Sequence, residues 1–202
     1  MPKFAANLSM LYTELPFLDR FAAAARSGFK AVEFLFPYDF APQEITQRLQ
    51  DHQLQLVLHN MPPGDWAAGD RGLAALPHRV DEFRASVSKA LDYAAALGTP
   101  QLHCMAGIRP ADVSTAQAHD TLVRNLRFSA DAARQQGVRV LLEPINHFDM
   151  PGFFVNRPSQ ALAILDEVGA DNLFLLYDIY HAQRMEGELA STLRAHLPRI
   201  GH

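Results

Sequence analysis

Short apolar runs recur along the chain and alternate with longer stretches in which apolar residues return every three or four positions. The runs are Phe4–Met10, Ala31–Phe36, Leu54–Met61, Gln101–Gly107, Arg139–Ile145 and Leu173–Ile179. Each has the length of a strand buried on both faces. Between them Leu15, Leu18, Phe21, Ala22 and Ala25 fall near one helical face. So do Val80, Phe83, Val87, Leu91, Ala94 and Ala95, and again Leu122, Leu126, Ala130 and Ala133. Ser114 and Ser159 stand where a hydroxyl accepts from orphan amides at helix starts, and Gly28, Gly98, Gly137 and Gly169 where helices end. Strands alternating with helices predict βα units and a parallel sheet.

The spacing selects among α/β folds. Strand starts near 4, 31, 54, 101, 139 and 173 lie a little over thirty residues apart on average. A (β/α)8 TIM barrel of ~250 residues uses about thirty-one per unit. No Gly-x-Gly-x-x-Gly follows the first run, so a dinucleotide-binding unit lacks its main mark. A flavodoxin-like open sheet also fits the periodicity; the barrel is favoured. At this spacing 202 residues supply six βα units and the opening of a seventh at Arg199-Ile200-Gly201-His202. The expectation is one TIM-barrel domain over residues 1–202, C-terminally incomplete, with strands 7 and 8 missing. A sheet left open in this way presents unpaired edges.

Composition narrows the function. Apolar residues make up 49% and charged ones 20%, ordinary for a globular chain with a proper core. Eighteen basic against 22 acidic residues give a net charge of −4 without long runs of either sign, which argues against a nucleic-acid partner. No apolar stretch approaches the ~20 residues of a membrane span, and Met1-Pro2-Lys3-Phe4 lacks the layout of a secretory leader. Cys104 is the single cysteine, so there is no intrachain disulfide and no multi-cysteine zinc site. Inside an apolar run it reads as a small buried hydrophobe. The expected setting is the cytoplasm.

In such a barrel the chemistry sits at the C-terminal ends of the strands. Those ends carry Glu33, His59, His103, Glu143 and Asp178, with His181 just beyond the last. Carboxylates are rarely buried unless they are paired or bind metal. Glu143 follows Val140-Leu141-Leu142 and precedes Pro144; Asp178 follows Phe174-Leu175-Leu176-Tyr177. Two such carboxylates on neighbouring strands can converge on a hard divalent cation, Mg²⁺ or Mn²⁺; the bland alternative is that each caps a helix or pairs with an arginine. His59 and His181 are candidates for contact with substrate oxygens, and His103 is the least distinctive of the histidines.

Two long turn-rich segments, Asn60–Gly72 with Trp66 and Asn146–Phe154, hang over the expected barrel mouth. They read as a substrate lid, with an oligomer contact as the alternative. Arg71, Arg109 and Arg184 lie in or near loops at that end, where a guanidinium suits an anionic substrate. Whether the chain forms a homo-oligomer stays open, since no helix advertises an apolar outer face.

At this point the residues carry a family resemblance. Phe4-Ala5-Ala6-Asn7-Leu8-Ser9-Met10-Leu11, Ala31–Asp39, Gly64-Asp65-Trp66-Ala67-Ala68-Gly69, Glu143-Pro144-Ile145-Asn146, Pro151-Gly152-Phe153-Phe154 and Tyr177–Glu188 resemble the hydroxypyruvate isomerase family of xylose-isomerase-like TIM barrels. The resemblance covers the whole chain. It implies conversion of hydroxypyruvate to 2-hydroxy-3-oxopropanoate (tartronate semialdehyde), with Glu143 as proton donor and acceptor. In related barrels the counterparts of Glu143 and Asp178 also hold a divalent metal; beside the resemblance, the residues themselves give His59, His181, Arg109 and Trp66 as the expected substrate contacts. The family's second catalytic glutamate on strand eight and a polar ligand on strand seven fall beyond His202. The partner expected is a small anionic keto or hydroxy acid. Two alternatives stand beside this: a 2-oxo-tetronate or related sugar-acid isomerase or epimerase on the same scaffold, and an inactive metal- or partner-binding fragment. A phosphodiester-cleaving barrel is disfavoured by the absence of a basic face.

Overall fold

The computed structural model describes residues 3–202, so the Met1-Pro2 start read above for a leader lies outside the described residues. Six parallel strands form one sheet in sequential order: β1 Ala5–Asn7, β2 Ala31–Phe34, β3 Gln55–Asn60, β4 Gln101–His103, β5 Arg139–Leu142 and β6 Leu173–Leu175. The helices are α1 Arg20–Arg26, α2 Pro42–Asp51, α3 Val80–Leu97, α4 Thr115–Arg134, α5 Pro158–Val168, α6 Ile179–Met185 and α7 Leu189–His196. Every strand pairs with its sequence neighbour, which is barrel order; a doubly wound open sheet reverses order part-way. Ile200 makes a parallel bridge to Leu175, and Gly201 N–H donates to Leu175 O at 2.9 Å, so a seventh ladder opens at the place the spacing gives. No helix among the described residues is long and apolar enough to cross a membrane.

Side chains on a strand alternate between its two faces. Val32, Phe34 and Leu56 face outward onto Phe21, Ile45 and Leu49 of α1 and α2. Leu102, Val140, Leu142 and Leu175 face outward onto Phe83 and Val87 of α3, Leu122 and Leu126 of α4, and Ile164 and Leu165 of α5. The remaining small cluster, Leu58, Leu141 and Leu176 with Val57 and Phe174, packs inside the sheet. The ladders stop one to four residues short of the apolar runs. Pro144, for one, has no N–H to give, and Ile145 N–H turns to Val155 O at 3.0 Å.

Ser114 caps α4 as expected: Gln117 N–H donates to its Oγ at 3.2 Å, while Ser114 N–H donates to Gln117 Oε1 at 3.0 Å. Ser159 does not cap. α5 starts one residue earlier with Pro158 in its first turn, where a missing N–H costs nothing, and the Ser159 hydroxyl donates instead to Glu186 at the end of α6.

The loops after β3, β4 and β5 are stitched together. Gly72 bridges Ala106 and Ile108 bridges Phe153, both antiparallel. Within the first loop the Asp70 carboxylate accepts from Asp65 N–H at 2.7 Å and from Arg79 Nη1 at 2.7 Å, and Arg79 also grips Glu82. Gly72 has φ +117°, and a Cβ there would sit 2.5 Å from the Met105 backbone oxygen, so the crossing admits no larger residue. Gly72→Ala is therefore expected to destabilise by about 2–4 kcal/mol. In a thermal melt this lowers Tm by at least ~4 °C for a chain of this size. Gly28→Ala, where nothing lies within 4 Å, is expected to cost only its φ. Equal melting shifts in the two variants would contradict the crossing as the source of strain.

Candidate active site

The inward-facing positions change character towards the C-terminal ends of the strands. Below lie Leu58, Leu141 and Leu176; above stand Asn7, Glu33, His103, Glu143 and Asp178. Asn7 Nδ2 donates to Glu33 Oε1 at 3.0 Å, tying the ends of β1 and β2. Across the interior His202 Nε2 lies 2.6 Å from Glu33 Oε2. His103 Nδ1 lies 3.5 Å from Glu143 Oε2, and the Glu143 side chain is only 12% exposed.

Burial is the main reason the Glu143 carboxyl is pushed up to about 8, and the nearby charges of Asp178 and Glu33 add to it. A carboxyl in that range is protonated or ionised near neutrality according to what lies beside it, as proton transfer requires.

Asp178 divides its two oxygens between tasks. Oδ1 accepts from His181 N–H at 3.0 Å and so caps α6. Oδ2 lies 3.9 Å from His181 Nε2, on the side of the cluster. The helix cap posed from the sequence is present, and it leaves the second oxygen free of the cap.

Glu143, Asp178 and His181 offer ligand atoms all within 4.8 Å of one another. The hydrogen bonds around His181 decide its part. Asn146 Oδ1 accepts from Phe148 N–H and Asp149 N–H at 3.1 and 3.0 Å, so its other terminal atom is the amide nitrogen. That nitrogen donates to Asp149 Oδ2 at 2.9 Å and to His181 Nδ1 at 2.7 Å. Asn146 backbone N–H also points at Nδ1, at 3.4 Å. Facing two donors, Nδ1 must accept, and a neutral imidazole then carries its proton on Nε2. A metal on Nε2 would need a proton on Nδ1 with an acceptor to receive it. The donor set that fits a hard divalent cation is thus the two carboxylates, and His181 presents a hydrogen-bond donor beside them.

Other expected site residues are not brought to this cluster. His59 is fully buried on the helix side of the sheet: it sits in register with outward-facing Phe34, packs edge-on against Tyr38, and its Nδ1 meets Thr99 Oγ1 at 3.2 Å. Burial drives its imidazole down to about 4. Arg109 spends its guanidinium on the carbonyls of Pro110 and Val113. Trp66 packs on Phe36 at 5.3 Å with Arg71 stacked over it at 3.9 Å, the guanidinium also donating to Trp66 O. It lines a cleft of about 560 Å³ with Tyr38, Pro62, Pro63 and Lys89, none of which belongs to the carboxylate cluster. Arg184 lies over Phe148 at 4.8 Å and reaches Tyr180 Oη at 3.3 Å. Cys104 is buried on the outward face with its thiol pushed up to about 12, as a packing residue should be.

Two groups that organise the site, Asn7 and Asn146, escape a reading of strand ends alone. Counting alternate positions back along the first run finds Asn7, and Asn146 is marked only by its place at the start of a turn-rich loop.

Comparison with known proteins agrees with this architecture. The family model of the xylose isomerase-like TIM barrel matches residues 21–202. A 2-oxo-tetronate isomerase from Cupriavidus necator is 54% identical, and a hydroxypyruvate isomerase from Escherichia coli 50% identical; each match covers 100% of this chain and 78% of the relative. A crystal structure described as an AP endonuclease, family 2, from Brucella melitensis superposes with a TM-score of 0.98 at 44% identity, covering 100% of this chain and 78% of that one. With sequential parallel strands, inward carboxylates at the ends of β5 and β6, and relatives at half identity along its whole length, the chain belongs to the xylose isomerase-like TIM barrel family.

Proposed function

We propose that this isomerase moves a carbonyl between adjacent carbons of a short 2-oxo acid, interconverting hydroxypyruvate and 2-hydroxy-3-oxopropanoate. The observation that carries the chemistry is the buried Glu143 carboxyl beside Asp178 and the Nε2–H of His181. The E. coli relative, a hydroxypyruvate isomerase, supports the substrate. The C. necator relative supports a second reading, the four-carbon acid 2-oxo-tetronate, handled by the same reaction.

Ionised Glu143 takes a proton from C3, leaving an enediolate, and returns it to C2; a proton passes from the C3 hydroxyl to the C2 oxygen, so the atoms balance. His181 Nε2–H donates to the substrate oxygen on which negative charge develops. Asp178 holds the His181 backbone through its cap and keeps its second oxygen for the site. Mg²⁺ or Mn²⁺ held by the Glu143 and Asp178 carboxylates would supply Lewis-acid polarisation of the substrate carbonyl.

Proton NMR of each acid in D₂O tests the reading, with Mn²⁺ or Mg²⁺ and then with chelator. Enzyme-dependent deuterium uptake at C3 is expected with either acid, together with a new aldehyde-hydrate signal from hydroxypyruvate or a new 3-keto acid signal from 2-oxo-tetronate, and the faster of the two acids identifies the preferred chain length. Glu143→Gln is expected to lower the rate by at least ~100-fold; near-normal turnover in that variant would sink the assignment.

Asp178→Asn retains a capping oxygen and loses the charge. Its melting temperature is expected within ~2 °C of the parent's, while Mn²⁺ affinity read by titration falls at least about tenfold. Unchanged Mn²⁺ affinity would remove Asp178 from the ligand set.

Glu143 also leaves a mark on stability. From its ordinary value of 4.5 up to about 8 it is protonated in the folded chain and ionised in the unfolded one. Its contribution is therefore full at low pH and is lost as pH rises across that window. Melts in chelator are expected to show Glu143→Gln little changed at pH 4.5 and more stable than the parent at pH 8.5, by on the order of a few kcal/mol. A constant difference across this range would refute the buried, raised carboxyl.

A further inference from the structure

One inward-facing side chain has no part in the reaction as described. His103 closes β4 in register with Leu141, so both point into the barrel, and Glu143 stands two positions beyond Leu141 on the same strand face. The imidazole is 2% exposed. Its Nδ1 lies 3.5 Å from Glu143 Oε2, while its Nε2 is buried and has no hydrogen-bond partner among the described residues. Complete burial, with His181 close by, holds the ring neutral.

A neutral imidazole carries one N–H. In the ionised form that takes a proton from the substrate, Glu143 only accepts, so in that state the proton that meets it sits on Nδ1 and the lone pair of Nε2 is left bare. Such a nitrogen weakens the fold, because a buried polar atom gives up water and gains nothing. Leucine, which fills the paired inward position 141, would pack there without that loss. The contact with Glu143 is what remains to account for the histidine. Its 3.5 Å separation is longer than a well-formed hydrogen bond, as is common for catalytic contacts before a ligand draws the groups together.

We propose that His103 is a positioning residue whose Nδ1–H holds one oxygen of Glu143, so that the other faces the reacting carbon. The inference rests on Glu143 as the proton-transfer group, and its test separates the two. The amide nitrogen of Asn reaches the place of Nδ1, and that of Gln the place of Nε2. His103→Leu and His103→Gln are expected to lower kcat at least ~10-fold with KM within about threefold, while His103→Asn recovers most of the rate. Rates within about twofold of the parent in His103→Leu, or equal recovery by Gln and Asn, would overturn the proposal.

A second readout does not depend on turnover. Long-range proton–nitrogen NMR of the chain labelled with ¹⁵N-histidine, recorded in chelator at about pH 9.5 where Glu143 is ionised and with the His103 signals assigned by their loss in His103→Asn, is expected to show the Nδ1–H form. That preference should relax in Glu143→Leu. An Nε2–H form, or a tautomer indifferent to Glu143→Leu, would overturn the contact itself. Absence of turnover in the parent would count against the proposed function and leave the tautomer to decide the contact.

Discussion

Strict alternation of side chains along six short parallel strands governs the rest of this molecule. Each strand sends one set of residues to the helices and the other to the interior. The outward set is apolar almost throughout and holds the helices on. In the inward set Leu141 lies beneath Glu143 and Leu176 beneath Asp178, and with Leu58 they form an apolar floor, while Gln101 and Arg139 stand inward at the lower ends of β4 and β5. Without the floor, water would solvate the carboxylate and its proton affinity would return to the ordinary range. A shift of one residue in any ladder would exchange the two sets and place a carboxylate against a helix.

Much of this is legible from the chain alone, for a physical reason. Strand length, helical period and spacing per unit are local properties, so the six strands, helices α1, α3, α4 and α5 and the opening of a seventh ladder at Ile200 can be read along the sequence, while α2 carries no stretch in that reading. Carboxylates after apolar runs, Glu143 and Asp178, are legible for the same reason. His59 shows where strand-end reading fails: it is one residue from inward-facing Asn60, and only the register, not proximity to a strand end, sends it to the helix side. Arg109 and Ser159 fail differently, since their partners, loop carbonyls and Glu186, are set by how segments fold back on one another. The proton position on His181 is the least legible of all. It depends on an asparagine 35 residues away whose own orientation is fixed by two backbone amides.

The segments that look from their composition like a lid are held in place. Gly72 lies against Met105, Asp70 draws its own loop closed, and Ile108 reaches Phe153. The loop aromatics stack on arginines, Trp66 on Arg71 of its own loop and Phe148 on Arg184 of α6, and neither arginine pairs with Glu143 or Asp178. The rim is therefore cross-linked and aromatic, and the carboxylates Glu143 and Asp178 come from the strand ends beneath it.

Loops cross-linked by backbone contact have little freedom left to surrender when a ligand arrives. Capture by such a rim loses few conformations, so discrimination between a three-carbon and a four-carbon acid falls to the fixed volume of the site and not to closure around the guest. A preference of that kind shifts by exchanging one wall side chain for another of different size. Descendants of this barrel can thus change substrate in single small steps, while the backbone crossing at Gly72 stays as it is.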